Sequence, residues 1–394
     1  MNIALLTQYY KPEMGAPQNR LYEMMSGLKE NGNQVCVVTG MPNYPSGKIF
    51  EGYKSKFSCI EKLDDIPVKR FWLYASNAKR TLPRIWNMLS FSITALFSLR
   101  FLKKQRIDYL IVESPPLTLG ITGYILARFT GARLVMNISD LWPLSAKELG
   151  AMSDGLLYQF LEKTESFLYK KSLFCMGQSE EIVSYIENHG AISTYLFRNG
   201  VDPSRFKVKL KTENKTFRIV YAGLLGYAQG IYEICRHVDF ASLGVEFHIY
   251  GAGGEQQLIE AYLSSNQNKN IFFHGKITRE DIPKTLTSAD ATLIPLVKNI
   301  FGAVPSKIYE SMAAGVPILF SGEGESVKII EENNIGIISP PKDYTSLSKN
   351  IQYMANNPEE MTRMQQNCVK CANEKFNRPK QVNDLHKFLL SKIE

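Results

Sequence analysis

The sequence predicts an α/β protein built as two doubly wound domains in tandem, each a mostly parallel sheet with helices on both faces. Three observations carry this. Continuous apolar, strand-like runs alternate with amphipathic helical segments along almost the whole chain. The alternation is broken once, by a polar stretch at 202–216. The length of 394 residues exceeds what one hydrophobic core usually organises.

The first series opens with an apolar run at 2–7, followed by a turn-rich loop at 9–19 containing Pro12, Gly15 and Pro17. Leu21, Met24, Met25 and Leu28 then mark one face of a helix that ends at Asn31-Gly32. A second buried strand at 34–39 completes a strand–helix–strand unit, which implies parallel pairing with a right-handed crossover. Further strands are expected at 108–113, 133–138, 173–176 and 194–197. Beyond the polar break, strands are expected at 218–222, 246–250, 271–274, 291–295, 318–321 and 336–339. These readings divide the chain into a first domain at 1–200, a linker at 201–216 and a second domain at 217–379, with a last helix at 380–394. Ligands of such sheets bind beyond the carboxyl ends of the strands, and a cleft between two of them is the default site.

The composition is globular, with 44% hydrophobic and 21% charged residues, and the net charge of +8 favours anionic partners. No Lys/Arg run or RNA-binding signature points to nucleic acid, so none is expected as a partner. Of the six cysteines, Cys368 and Cys371 form a C-x-x-C, but no second pair completes a zinc site. They read as helix cysteines in a reducing compartment. Met1 leads straight into a strand without a charged and apolar leader, so a cytoplasmic location is expected.

The most apolar stretch runs from Ile85 to Leu102, flanked by Lys79, Arg80, Arg84, Arg100, Lys103, Lys104 and Arg106. It reads as too short to span a bilayer, which takes about 20 apolar residues. Residues 80–106 suit a basic amphipathic helix lying on an anionic membrane surface, and equally a core helix with basic ends.

The chemistry centres on residues 304–317, VPSKIYESMAAGVP. Pro305 suits a first helical turn, while Gly315 and Pro317 stop the helix before an apolar strand. Lys307 and Glu310 stand at i and i+3, near the helix start. A cation beside a helix N-terminus suits phosphate, and a carboxylate one turn deeper suits sugar hydroxyls. The same spacing fits an ordinary surface ion pair. Glycine turns follow strands at 222–226, with Gln229-Gly230 opening the next helix, and at 251–254. Glycines there let backbone amides approach a phosphate, or simply make tight turns. None forms G-x-G-x-x-G in a first strand–helix turn. Asp140, in Asn137-Ile138-Ser139-Asp140-Leu141-Trp142-Pro143, ends a strand, where it would orient a hydroxyl, act as a base or cap the turn. The loop with Asn43, Tyr44 and Lys48 has aromatic and polar residues that suit a saccharide, and a composition that suits any turn.

Taken together, these pieces resemble a glycosyltransferase of the GT-B fold and the large family 4. The matching segments are QYYKPEMG at 8–15, RNGVD at 198–202, residues 223–230, YGAG at 250–253 and residues 304–317. MPNYPSGK at 41–48 and DLWP at 140–143 resemble the bacterial surface-polysaccharide branch, of the L-fucosamine-transferase-like kind. The match spans nearly the whole chain.

The resemblance implies two facing Rossmann-like domains, a C-terminal helix crossing back to the first, and a nucleotide-sugar donor held mainly by the second. Glu310 matches the carboxylate that grips the ribose. Gly15 matches the glycine that admits the diphosphate, and Ile277 lies in the turn that holds the base. Asn199, Gly223, Gly226, Gln229, Gly253 and Ser306 complete the implied donor site, with Asn43, Tyr44 and Lys48 toward the acceptor. Two positions depart from the family pattern. Gly302 stands where a second Glu is common, and Leu224 and Gln229 stand where an Arg and a Lys are common. Lys307 is therefore assigned the phosphate charge, joined by Arg198.

The expected reaction is transfer of a sugar, such as an N-acetylated deoxyhexosamine (L-FucNAc), from a UDP-sugar to a lipid-linked saccharide. It would use no metal or other cofactor and retain anomeric configuration. Lys307 and Asp140 are the catalytic candidates. Two alternatives share the architecture: a UDP-sugar 2-epimerase and a two-lobed, non-enzymatic binding protein.

Overall fold

In the computed structural model the described residues are 1–78, 80–148, 150, 152–208, 216–266 and 269–393. Residues 209–215 of the expected linker, and the basic residue Lys79, lie outside them. The chain forms two compact units, Met1–Arg198 with Arg378–Glu394, and Asn199–Asn377.

The first unit contains β1 (Asn2–Leu6), α1 (Ala16–Glu30), β2 (Gln34–Gly40), β3 (Ser58–Leu63), β4 (Ile66–Phe71), α2 (Thr81–Ala95) and α3 (Leu99–Gln105). It continues with β5 (Tyr109–Ser114), α4 (Leu117–Thr130), β6 (Arg133–Ile138), α5 (Leu144–Glu148), α6 (Leu156–Lys171), β7 (Phe174–Gly177), α7 (Glu180–Asn188) and β8 (Thr194–Leu196). The strands form one eight-stranded sheet in the order β3-β4-β2-β1-β5-β6-β7-β8. Every pairing in it is parallel except β3 with β4. That hairpin was not expected from the sequence. Its strands carry interleaved charges rather than apolar runs, as suits a sheet edge. Its turn, Asp64-Asp65, holds both residues at positive φ (48° and 61°), the geometry of a two-residue hairpin loop.

Alternation along the strands divides the core. Ile3, Leu5, Val35 and Val37 pack with Leu21, Met24 and Leu28 of α1. The same cluster takes in Val382, Leu385 and Leu389 of the C-terminal helix Arg378–Ser391. Each such fully buried side chain stabilises by about 1.5–3 kcal/mol. This helix therefore packs on α1 inside the first unit, across the whole length of the second unit in sequence. On the opposite face α4 lies close to β5, since a Cβ at Gly123 would meet the Val112 side chain. Helices α2, α4 and α6 line that face in a row.

The expectation that the apolar stretch after residue 80 falls short of a bilayer span is corrected. The helical run Leu82–Gln105 has 24 residues and a mean hydropathy of 1.3, enough by length and composition alone to cross a membrane. In the structure its inner face is part of the unit: Phe91, Ala95 and Leu102 are buried, and Ser92 Oγ lies 2.9 Å from Thr118 Oγ1 on α4.

The second unit contains β9 (Phe217–Ala222), α8 (Ile231–His237), β10 (Val245–Tyr250), α9 (Gln256–Ser265), β11 (Ile271–Gly275), α10 (Ile282–Thr287) and β12 (Ala291–Pro295). It continues with α11 (Ser306–Ala314), β13 (Ile318–Ser321), α12 (Glu325–Asn333), β14 (Gly336–Ser339), α13 (Tyr344–Asn356) and α14 (Pro358–Glu374); the C-terminal helix is α15. Its six strands are all parallel, in the order β11-β10-β9-β12-β13-β14. Val201 and Phe206, expected in the linker, are buried in its core with Ile308 and Met312 of α11. Cys368 and Cys371 are buried thiols in that same cluster.

Candidate functional site

The helix α11 begins beyond the carboxyl end of β12, beside the turn that follows β9. Ile308, Tyr309 and Met312 anchor it in the core, and Thr292 Oγ1 donates to Ser311 Oγ at 2.8 Å beneath it. With the apolar face fixed, Lys307 reaches toward the β9 turn. Its Nζ donates to Tyr221 Oη at 3.1 Å and lies 4.6 Å from the centre of the Tyr221 ring. Tyr221 Oη in turn donates to the Leu224 carbonyl, so the hydroxyl is oriented to accept from the ammonium. Burial pushes the Lys307 ammonium down to about 8, and the nearby Glu310 carboxylate works against that fall.

The glycines of this region act differently from the sequence expectation. The Gly223 N–H donates to the Tyr250 carbonyl, Leu225 N–H to the Ala252 carbonyl, and Gly226 N–H to Gln229 Oε1. These amides already have acceptors. What the turn supplies is space. A Cβ at Gly223, where φ is +157°, would fall on Lys307 Cε and Nζ. Gly253, at φ +159°, lets the loop after β10 lie against the Leu225 backbone. Gly226 and Gln229 close the turn on themselves. Ser306 is half-buried at the first position of α11, and Ile277 is half-buried just after β11. Next to it, His274 is stacked on Tyr250 with ring centres 4.3 Å apart and hydrogen-bonded to His248 at 2.9 Å. Asn199 Oδ1 accepts from the Gly200 N–H at 3.1 Å. Arg198 is placed in the first unit, its guanidinium 2.6 Å from Glu180, so that cation has a carboxylate counter-charge of its own.

In the first unit, the loops after β1 and β2 are held together by Glu13, whose role the sequence reading missed. Its carboxylate is buried and accepts from the backbone N–H of Tyr10 (3.2 Å), Asn43 (2.8 Å) and Tyr44 (2.8 Å). Burial raises its carboxyl to about 7, with the three N–H donors opposing. Asn43 turns inward, its side-chain amide directed to Glu13 and to the Met41 carbonyl at 3.0 Å, whereas Tyr44 and Lys48 remain exposed. Tyr44 meets Tyr9 edge to face at 6.0 Å. Gly15 begins α1 in an extended conformation, and the nearest atoms that a Cβ there would meet are the flexible end of Gln18.

Asp140 sits half-buried after β6, accepting from Ser145 Oγ at 3.4 Å, with burial raising its carboxyl above the ordinary range. The strand end that carries it is fixed from below. Arg20 of α1 bridges Glu113 and Gln178 at 2.9 Å each, and Asn137, Ser139 and Gln178 close the network with shorter bonds. Arg20 and Glu113 are both buried. Only a polar run at the end of an apolar strand (Glu113-Ser114, Asn137–Asp140) marked this network in the sequence.

Two parallel-sheet, Rossmann-like units with the last helix returned to the first unit define the GT-B class of fold. Solved structures agree at fold level. Sucrose-phosphate synthase from Thermosynechococcus elongatus superimposes with a TM-score of 0.73 at 16% identity, over 99% of both chains. Anabaena HepE in complex with UDP gives 0.73 at 15% identity, over 99% of this chain and 100% of that one. The family model described as "Glycosyl transferase 4-like domain" matches residues 15–195, and "Glycosyl transferases group 1" matches 203–370. The chain belongs to the group 1, family 4-like glycosyltransferases. Among relatives, the Escherichia coli protein named putative colanic acid biosynthesis glycosyl transferase WcaI is 23% identical over 82% of this chain and 84% of that protein. Probable glycosyltransferase WbjE of Pseudomonas aeruginosa is 26% identical over 70% and 72%.

Proposed function

We propose that this glycosyltransferase moves a sugar from a UDP-linked donor to a lipid-linked saccharide during synthesis of a bacterial surface polysaccharide, at the inner face of the plasma membrane. The observation that carries the donor assignment is Lys307 Nζ, held beside Gly223 and Tyr221 one turn from Glu310. A half-buried ammonium with a carboxylate at i+3 matches a nucleoside diphosphate, with phosphate at the cation and ribose hydroxyls at the anion. The solved relative with UDP bound and the relative named for colanic acid biosynthesis support the donor and the pathway class.

In this reading the bond from the anomeric carbon to the diphosphate oxygen breaks through an oxocarbenium-like state. Lys307 stabilises the charge that develops on the leaving diphosphate. The Glu310 carboxylate holds the ribose. Asp140, its carboxyl raised above the ordinary range by burial, orients the acceptor hydroxyl or receives its proton. Retention of configuration follows from the family, and the donor sugar is an N-acetylated deoxyhexosamine such as L-FucNAc. Residues 80–106 place the enzyme on an anionic membrane, where a lipid-linked acceptor is presented. No metal is required by this chemistry, so turnover should persist in a chelator.

The test is a panel of UDP-sugars read by UDP release, with and without a lipid-linked acceptor, for the wild type and Lys307→Ala. Acceptor-dependent release that falls in the variant supports the reading. Epimerised donor without acceptor, or unchanged turnover in Lys307→Ala, overturns it.

A further inference from the structure

We infer that the groove between α4 and α6, on the outer side of the α2–α4–α6 row, is a second membrane contact that seats the phosphate headgroups of anionic lipids. This extends the membrane part of the proposed function to a surface remote in sequence from residues 80–106. The α2 surface is exposed and apolar at Leu82, Trp86, Ile93 and Phe97. The same character continues across the row onto helices that the sequence analysis did not single out. On α6, Leu156 is 87% exposed, Leu157 64% and Phe160 65%, and on α4 Phe129 is 61% exposed. Large apolar side chains in such number on one helical layer mark an interaction surface.

The charge around this layer identifies the occupant. A groove of about 560 Å³ opens between the C-terminal ends of α4 and α6, lined by Arg128, Arg133, Lys170 and Lys171 with no carboxylate among its walls. Among the described residues none of these four cations forms an ion pair; Arg133 donates to the Ile393 carbonyl at 3.4 Å. Tyr124 and Phe167 meet edge to face at 5.2 Å near its floor, and Ile192 on its rim is 78% exposed. An adjoining hollow adds Lys163 and one carboxylate, Glu162. Exposed Phe129 and Ile192 beside these cations, with Leu156, Leu157 and Phe160 further along α6, fit an interface where acyl chains meet phosphate. A second copy of this chain packed symmetrically on the same face would bring cation against cation. A bilayer with anionic lipid is the partner that satisfies both the apolar surface and its charge.

The experiment is co-sedimentation of the full chain with vesicles of phosphatidylcholine containing about a quarter phosphatidylglycerol, whose surface potential attracts such cations. Two variants report on the groove, K170E/K171E on its charge and F129S/I192S on its apolar rim; all four positions are exposed, and a thermal melt with UDP binding checks folding. An α2 variant, I93S/F97S, serves as reference. We expect each groove variant to lose at least about tenfold in affinity for the anionic vesicles, with UDP affinity unchanged, and the wild type to release from them as salt screens the charges. Soluble glycerol phosphate should not displace the wild type. Groove variants that bind like the wild type while I93S/F97S does not would overturn this inference and leave the α2 contact standing. Equal binding to neutral vesicles, displacement by glycerol phosphate, or a wild-type dimer that the groove variants dissociate would also overturn it. Donor turnover with a soluble acceptor needs no bilayer, so failure here is separable from failure of the transferase reading.

Discussion

Lys307 fills the space that a side chain on Gly223 would need. The ammonium and the glycine stand 84 residues apart in sequence, yet a Cβ at position 223 would coincide with Lys307 Cε and Nζ. At φ +157° an alanine is also strained there. Gly223→Ala should therefore displace Lys307 and weaken UDP binding by about 10- to 100-fold, the range of one charge-assisted contact. Calorimetric titration with UDP checks this. Unaltered affinity in a folded variant would remove Lys307 from the phosphate site.

The partly desolvated ammonium also predicts a pH dependence. With Lys307 at about 8 in the free protein, it carries its charge below that value and loses it above. UDP affinity should then fall as pH rises from 7 to 9, by about tenfold per unit once the lysine is neutral. Lys307→Arg keeps its charge throughout and should flatten the profile, whatever its affinity at neutral pH. A wild-type titration that stays level to pH 9 would contradict the assignment.

Glu310 is testable with the ligand altered instead of the protein alone. If its carboxylate accepts the ribose hydroxyls, Glu310→Ala should weaken UDP by about 1.5–3 kcal/mol, and 2′- or 3′-deoxy-UDP should lose little more in the variant than UDP itself. Additive losses would place Glu310 away from the ribose.

The architecture was legible because parallel strands buried on both faces are continuous apolar runs, and twelve of them could be placed directly, as for Ala291–Pro295 and Gly336–Ser339. The β3–β4 hairpin was not, because an edge pair with Lys62, Lys69 and Arg70 in it lacks that signal. At the site, Lys307 and Glu310 stood out by their helical spacing. The reason the second-domain turn holds glycines did not, because the residue it makes room for lies 84 positions downstream, a pairing visible only when folded. Glu13 was read only as part of a loop motif. Its partners are backbone N–H groups of Asn43 and Tyr44, which no side-chain pattern reveals.

The buried pair Arg20–Glu113 predicts an asymmetry in stability. Arg20→Met leaves the Glu113 carboxylate buried with only Asn137 and Ser139 to bond it, which should cost about 3–5 kcal/mol. Replacing both partners, as Arg20→Met with Glu113→Leu, should cost less than the arginine change alone. Urea unfolding of the three proteins decides this. A double variant less stable than Arg20→Met would show that the network contributes through its hydrogen bonds more than through its charge balance.

Glu13 couples two loops through a carboxyl that titrates near neutrality, and the sign of its effect can be worked out. Its folded value is about 7, above the ordinary 4.5, because burial penalises the anion more than three N–H donors favour it. The native state therefore binds a proton that the unfolded chain has released. The stability this supplies is fully present below about pH 4.5 and is lost as pH rises through 7, by up to about 3 kcal/mol. Glu165, also raised to about 7 by burial, adds a loss in the same window, but it is common to both proteins compared. Glu13→Gln does not titrate, so its stability relative to wild type should improve steadily from pH 5 to pH 8. It should also loosen the loop, because a glutamine turns an NH₂ toward donors that need an acceptor. Asn43 and Tyr44 share Oε1, which a glutamine oxygen can replace, so amide exchange should quicken in Glu13→Gln at Tyr10, whose N–H faces Oε2, most clearly at pH 8, where the wild-type carboxylate is ionised and accepts best. Parallel stability curves for the two proteins across this range would mean that Glu13 does not titrate there. Unchanged exchange at Tyr10 would mean that its N–H is held by something other than this carboxylate.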